Sequence, residues 1–210
     1  MQVYIVRHGQ SQRNVAPVGP HDCPLTEVGL RQSELTGEYL KGKGIERIYA
    51  SPALRALMTA RVIGRALGIR PKAWTELAER SYLSGEPGLS RRGLVEAFPD
   101  IDPDECMSDD RGFAEGVVDE PFPALYKRAE RVLATLRERH GAGNAPIALV
   151  THAHFACFFV GAALGITDPD GWVGAVRHYN GAVTCVELGP ERNVVRFVNA
   201  HHHLGDLVTE

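Results

Sequence analysis

Short apolar runs, mostly β-branched, alternate along the chain with longer stretches whose apolar positions recur at helical spacing. Val3-Tyr4-Ile5-Val6 and Ile45 to Ala50 read as strands. Ile147-Ala148-Leu149-Val150 is apolar at every position, as a strand buried on both faces must be. Ala182 to Leu188 and Val194 to Val198 predict two more. Phe122, Leu125, Ala129, Val132, Leu133 and Leu136 fall on one helical stripe, and Ala53, Leu57, Ala60, Ile63 and Leu67 on another. Ahead of the second stripe, Ser51-Pro52 offers an N-cap followed by proline at the first helical position. Phe155 to Ile166 has the length of a buried helix rather than a membrane span. Such alternation predicts an α/β fold, a three-layer α/β/α sandwich around a largely parallel central sheet.

The stretch from Ser81 to Glu120 breaks the rhythm. It is rich in Gly, Pro and Asp, with one helical patch around Gly93 to Phe98, and reads as an irregular lid-like insertion (81–120) on a single domain spanning 1–210. The acidic run Asp100, Asp102, Asp104 and Glu105 is expected near the mouth of the site, on a loosely packed, polar lid. A chain of 210 residues with 44% hydrophobic content suits one globular domain. Net charge is −3, and its 23 basic residues are mixed among 26 acidic ones, which argues against a nucleic-acid platform. The opening run to Val6 is too short for a signal-peptide core and lacks a basic start. Cys23, Cys106, Cys157 and Cys185 are scattered, with no CxxC pair, as reduced thiols in the cytoplasm would be. No membrane partner is expected, and the oligomeric state is not legible.

Open α/β sheets hold ligands beyond the carboxyl ends of their strands. Three strands here end in groups suited to phosphate: Arg7-His8-Gly9, Ser51-Pro52 followed by Arg55, and Thr151-His152-Ala153-His154. Arginine presents a planar fork of donors to phosphate oxygens. An imidazole can attack phosphorus and leave again, splitting one hard displacement into two. Gly9 is expected to let the backbone approach the bound group.

These residues resemble a family. Arg7-His8-Gly9-Gln10-Ser11-Gln12-Arg13-Asn14 is similar to the RHGxSxxN signature of the histidine phosphatases, also called the phosphoglycerate-mutase-like superfamily. Leu25-Thr26-Glu27-Val28-Gly29 with Gln32, Ser51-Pro52-Ala53-Leu54-Arg55-Ala56 with Thr59-Ala60, Leu77-Ala78-Glu79-Arg80 and Thr151-His152 resemble further segments in family order. Asn180 and His203-Leu204 resemble weaker C-terminal features. The resemblance implies a metal-independent phosphatase, without cofactor, acting on a small phosphorylated substrate. His8 would be the nucleophile, Arg7, Arg55 and His152 the phosphoryl clamp, and Glu79 the acid and later the base. Asn14 and the amide of Ala153 would add phosphate contacts, with Ser11, Thr26, His154 and His203 on the substrate side. Two departures stand out. Ala153-His154 replaces a small pair such as Gly-Gly, and only Glu120 remains of a Gly-Glu-Ser before the long helix.

Other readings coexist with this one. Glu76 and Glu86 lie near Glu79, and Glu76 is the alternative acid. His152 and His154 form an HxH, and His201-His202-His203 a run, that a metal-dependent hydrolase could use; the run is expected to border the substrate mouth instead. A phosphoglycerate mutase and a non-catalytic phospho-ligand binding module complete the alternatives. Trp74 and Trp172 read as packing residues.

Overall fold

The computed structural model describes residues 1–81, 84–117, 119–141, 143, 145–166 and 176–210; Trp172 lies outside them. Six strands form one sheet: β1 (Gln2–Arg7), β2 (Arg47–Ala50), β3 (Lys72–Ala73), β4 (Ile147–Thr151), β5 (Val183–Leu188) and β6 (Asn193–Ala200), in the order β3-β2-β4-β1-β5-β6. The first four run parallel, with Arg7 opposite Thr151 and Ala50 opposite Val150. β5 and β6 are antiparallel to their neighbours. Only four residues join these two strands, too few for the crossover that a parallel pair requires.

A short α1 (Gln12–Val15) follows β1, and alternation along the strands builds two cores. Val3, Ile5, Ile147 and Leu149 face one side, against α5 (Phe122–His140) and α6 (Ala153–Ala163). Tyr4, Val6, Ala148 and Val150 face the other, against Leu40 of α2 (Glu27–Leu40) and Ala56, Leu57, Ala60 and Ile63 of α3 (Leu54–Leu67). The α/β layering follows the sequence pattern. Phe122 departs from its stripe, being 44% exposed at the start of α5.

Ser51 is not the cap of α3. Ala53 holds that position without a side-chain bond, and the Oδ1 of Asp22 accepts from the amide of Leu54 at 2.8 Å. The cap is supplied from another segment.

The 81–120 stretch is firmer than its composition suggests. It contains α4 (Arg91–Ala97), capped by Ser90, and buries Leu94, Phe98, Ile101 and Met107 against the α3 side of the sheet. Its carboxylates do not gather at the mouth. Asp100 pairs with Arg61 and Arg65, Asp102 with Arg70, and Glu105 with Lys72 beside β3. Asp104 instead accepts from the amide of Thr75. Opposite charges on α3 and the sheet edge draw the run there. All four cysteines are free thiols, three of them buried. Among the described residues no helix is long and apolar enough to cross a membrane.

Candidate active site

Parallel pairing of β2, β4 and β1 brings their carboxyl ends to one edge, and each end hands a side chain to the same spot. His8 follows β1 and is buried. Its Nδ1 lies 2.7 Å from the Gly9 carbonyl, which can only accept, so Nδ1 carries the proton. Nε2 is left with its lone pair, toward which the Nε of Arg55 donates at 3.2 Å. Burial, then the charges of Arg55 and Arg7, hold His8 well below its usual pKa. The ring is neutral at pH 7, as a nucleophile must be.

His152 precedes α6 as its N-cap and stands edge-on to His8, with ring centroids 5.1 Å apart. Burial, then Arg55, keeps it neutral too. Its Nε2 meets the Ser51 hydroxyl at 2.8 Å, while its Nδ1 is buried without a partner among the described residues. The Nε of Arg7 is likewise buried and unpartnered, although one terminal nitrogen donates to the His178 carbonyl at 2.6 Å. A terminal nitrogen of Arg55 donates to the His21 carbonyl at 2.9 Å. Among the described residues neither arginine forms an ion pair. Two half-buried guanidiniums without a counter-ion among the described residues favour an anion between them.

Glu79 follows a 3₁₀ turn (Thr75–Leu77) and reaches the N-terminus of α6. Its carboxylate accepts from the amides of Arg80, Phe155 and His154 at 2.9, 3.1 and 3.2 Å. The His154 Nδ1 lies 3.4 Å from Glu79 Oε2. Burial alone would raise Glu79, but bonds from His154 and these amides outweigh it and hold the carboxyl below the usual range. Glu76, by contrast, pairs with Arg131 of α5 and stands outside the cluster.

Arg128 holds the Glu79 segment from beneath. Fully buried, it donates to the carbonyls of Glu76, Ala78 and Glu79 at 2.7, 2.7 and 3.3 Å, and pairs with Glu120 at 2.6 Å. Glu120 is therefore part of a buried support rather than a substrate contact. One arginine among the four of α5 gave no signal of this role.

The remaining expected residues divide. The Asn14 Oδ1 accepts from the Ser11 amide and hydroxyl at 2.9 and 2.8 Å, which leaves its Nδ2 donors for another group. Ala153 contributes the first amide of α6 beside His152. Thr26 caps α2 through the Gly29 amide and bonds the Gln10 side chain, so its hydroxyl serves the fold. His203 stacks on Tyr39 at 4.5 Å and meets the Thr36 hydroxyl, with no bond to the cluster. A ring flanked by an aromatic and a hydroxyl packs there. His152 and His154 do not share a metal-like geometry, since one faces Ser51 and the other Glu79. Among the described residues no group of three or more His, Cys, Asp or Glu is arranged to hold a metal ion. Gly9 does not free space for a ligand. It lies against the backbone of Gly29.

Two contributors carried no motif: the carbonyl of His178, and Glu86, which accepts from the amides of His21 and Asp22. Asn180, matched only as a weaker C-terminal feature, donates its side-chain amide to the His8 carbonyl at 3.2 Å. A cavity of about 320 Å³ opens beside it, lined in part by Arg7, Ala153, His154, Cys157, Arg177 and Glu210.

The family model of the histidine phosphatase superfamily (branch 1) matches residues 3–201. This chain belongs to that superfamily. The match takes in His8, Arg55, Glu79 and His152. Over 71 residues, 33% of each chain, the protein is 41% identical to the probable phosphoglycerate mutase GpmB of Yersinia pestis (strain Pestoides F). The aligned part thus spans about a third of that relative. Bacillus stearothermophilus YhfR has the same fold, with a TM-score of 0.71 at 21% identity over 97% of this chain and 98% of that one. A mycobacterial glucosyl-3-phosphoglycerate phosphatase, solved with VO3, gives 0.68 at 20% identity over 95% and 99%.

Proposed function

We propose that this protein hydrolyses a small phosphomonoester through a phosphohistidine on His8. The observation that carries this reading is the neutral His8 Nε2 flanked by the half-buried guanidiniums of Arg7 and Arg55, without an ion pair among the described residues, and by the His152 Nδ1, buried without a partner among them. An anion centred there would satisfy all of them at once. His8 attacks phosphorus, the P–O bond to the alcohol breaks, and the clamp stabilises the charge on the equatorial oxygens. Asn14 and the Ala153 amide add donors. Glu79 manages the proton, first toward the leaving oxygen and then from the attacking water. Water reaches Glu79 past the neighbouring His154, whose side chain is 58% exposed, which favours hydrolysis over return of the phosphoryl group to substrate.

No metal or cofactor takes part in this scheme, which is placed in the cytoplasm on one domain with 81–120 as its insertion. A panel of phosphomonoesters scored for phosphate release, with and without excess chelator, tests it. Turnover is expected to persist in chelator and to vanish in His8→Ala. A labelled substrate, quenched in alkali, should leave an acid-labile phosphohistidine. Retained turnover in His8→Ala sinks the covalent mechanism.

The GpmB match makes phosphoglycerate mutase the second reading. Ordinary rates of 3- to 2-phosphoglycerate interconversion by primed enzyme, with little phosphate released, would install it in place of the first.

A further inference from the structure

Glu79 presents a problem as an acid. Its two oxygens already accept three backbone amides, two of them from the first turn of an eleven-residue helix. That end of a helix carries partial positive charge and favours an anion. A group held as a carboxylate has no proton to give an alkoxide. Yet the reading above requires one.

We propose that His154 stores that proton: in the resting enzyme its imidazolium, bonded through Nδ1 to Glu79 Oε2, holds the proton that Glu79 passes to the leaving oxygen. The inference rests on the phosphohistidine reading and adds to it a residue specific to this chain, where a small side chain is expected. The His154 Nδ1 stands 3.4 Å from Glu79 Oε2, and among the described residues His154 is the one ionisable side chain paired with Glu79. The ring lines the same cavity as Arg7 and Ala153, yet more than half of its side chain meets solvent. One end can therefore exchange protons with water while the other serves a carboxylate that is only 19% exposed. Behind it lies Phe122 of α5, 6.4 Å away, itself covered by the Arg80 guanidinium at 4.7 Å.

The charged groups facing His154 are Glu79, which raises its pKa by hydrogen bond and charge, and Arg80 and Arg7, which lower it. Glu79 wins, and the ring is held above the usual histidine value. Arg177 and Glu210 line the far side of the cavity and pair with each other.

The steps balance. As the His8–phosphorus bond forms and the ester P–O bond breaks, the proton moves from Nδ1 to Oε2 and on to the alcohol oxygen, leaving His154 neutral. In the second half, water gives a proton to Glu79, which returns it to His154. The hydroxyl bonds to phosphorus, and the P–N electron pair goes back to His8 Nε2. His154 acts through Glu79 and is a positioning and proton-supplying residue.

The test compares His154→Gln with wild type on an alkyl phosphomonoester and on p-nitrophenyl phosphate, each across pH 5 to 9. Glutamine keeps a donor toward Glu79 but does not titrate. The alkyl ester is expected to slow by about 10²-fold, the low end of general acid catalysis, with little change on the aryl ester. The fall of wild-type activity on the alkaline side should disappear, and added imidazole should restore part of the lost turnover. An unchanged alkyl rate and pH profile overturns the proposal. So does an equal loss on both esters without imidazole rescue, which would mark a purely structural role. Retained activity in His8→Ala would instead strike the phosphohistidine reading, so the two failures are separable.

Discussion

Gly9 and Gly29 lie against each other's backbone segments. A Cβ built on Gly9 would sit 2.3 Å from the Gly29 carbonyl oxygen, and one built on Gly29 would sit 2.0 Å from that of Gln10. This contact locks the loop after His8 onto the first turn of α2, and the Gly9 amide donates to the Thr59 hydroxyl of α3 at 3.0 Å. The loop that carries His8 is thus held by two helices. Gly29→Ala should cost roughly 1–3 kcal/mol, as overpacking does, and should lower turnover with it. Gly93→Ala is the control, since its Cβ would meet nothing closer than 3.5 Å. Equal melting temperatures for Gly29→Ala and wild type would refute the contact.

Arg55→Lys should not be conservative. The guanidinium serves His8 and the His21 carbonyl through two nitrogens of one rigid plane. A lysine offers a single point charge. Turnover is expected to drop about 100-fold or more, the usual cost of losing one oriented donor, and inhibition by vanadate should weaken. Wild-type kinetics in this variant would mean that Arg55 does not touch the phosphoryl group.

Arg128 and Glu120 should behave as a unit. Removing the cation alone, in Arg128→Met, leaves a buried carboxylate without a partner, a change that costs about 3–5 kcal/mol. It also releases the carbonyls that fix the Glu79 segment. The double variant with Glu120→Gln should be more stable than the single one. Additive losses in a denaturation cycle would show that the pair is not coupled.

Stability should fall with acid before the carboxylates titrate. Burial lowers His178 to about 4, and burial with the nearby arginines holds His8 and His152 well below the usual histidine value. Unfolded, each takes a proton near 6.5, whereas the native chain does not. The native state is therefore at full strength above that pH and loses stability as the pH drops toward about 4. For His178, 2% exposed, the loss at the bottom of this window is on the order of 3 kcal/mol. Urea titrations at pH 7.5 and 5 should show a flatter dependence in His178→Asn. A slope equal to wild type would assign the effect elsewhere.

Much of this protein is written locally. Apolar runs of period 2 and stripes of period 3.6 depend on neighbours a few residues apart, so β1, β4, α3 and α5 are legible without a partner. The register of Arg7, His8, Ser11 and Asn14 is equally local, and with it the spot where a nucleophile would stand. What lies between distant segments is not so written. Glu79 and His154 meet across 75 positions, and Arg128 reaches the Glu79 carbonyl across 49. Asp22 caps a helix that Ser51-Pro52 seemed equipped to start. The acidic run of 100–105 has a composition that fits either the mouth or the far edge, and only the arginines of α3 and its C-terminal loop, with Lys72, decide which. A side chain's chemistry is fixed by its type, but its role depends on the charge and backbone that folding brings against it. For Glu79, that neighbour is a helix N-terminus, which turns an expected acid into an anion in need of a proton source.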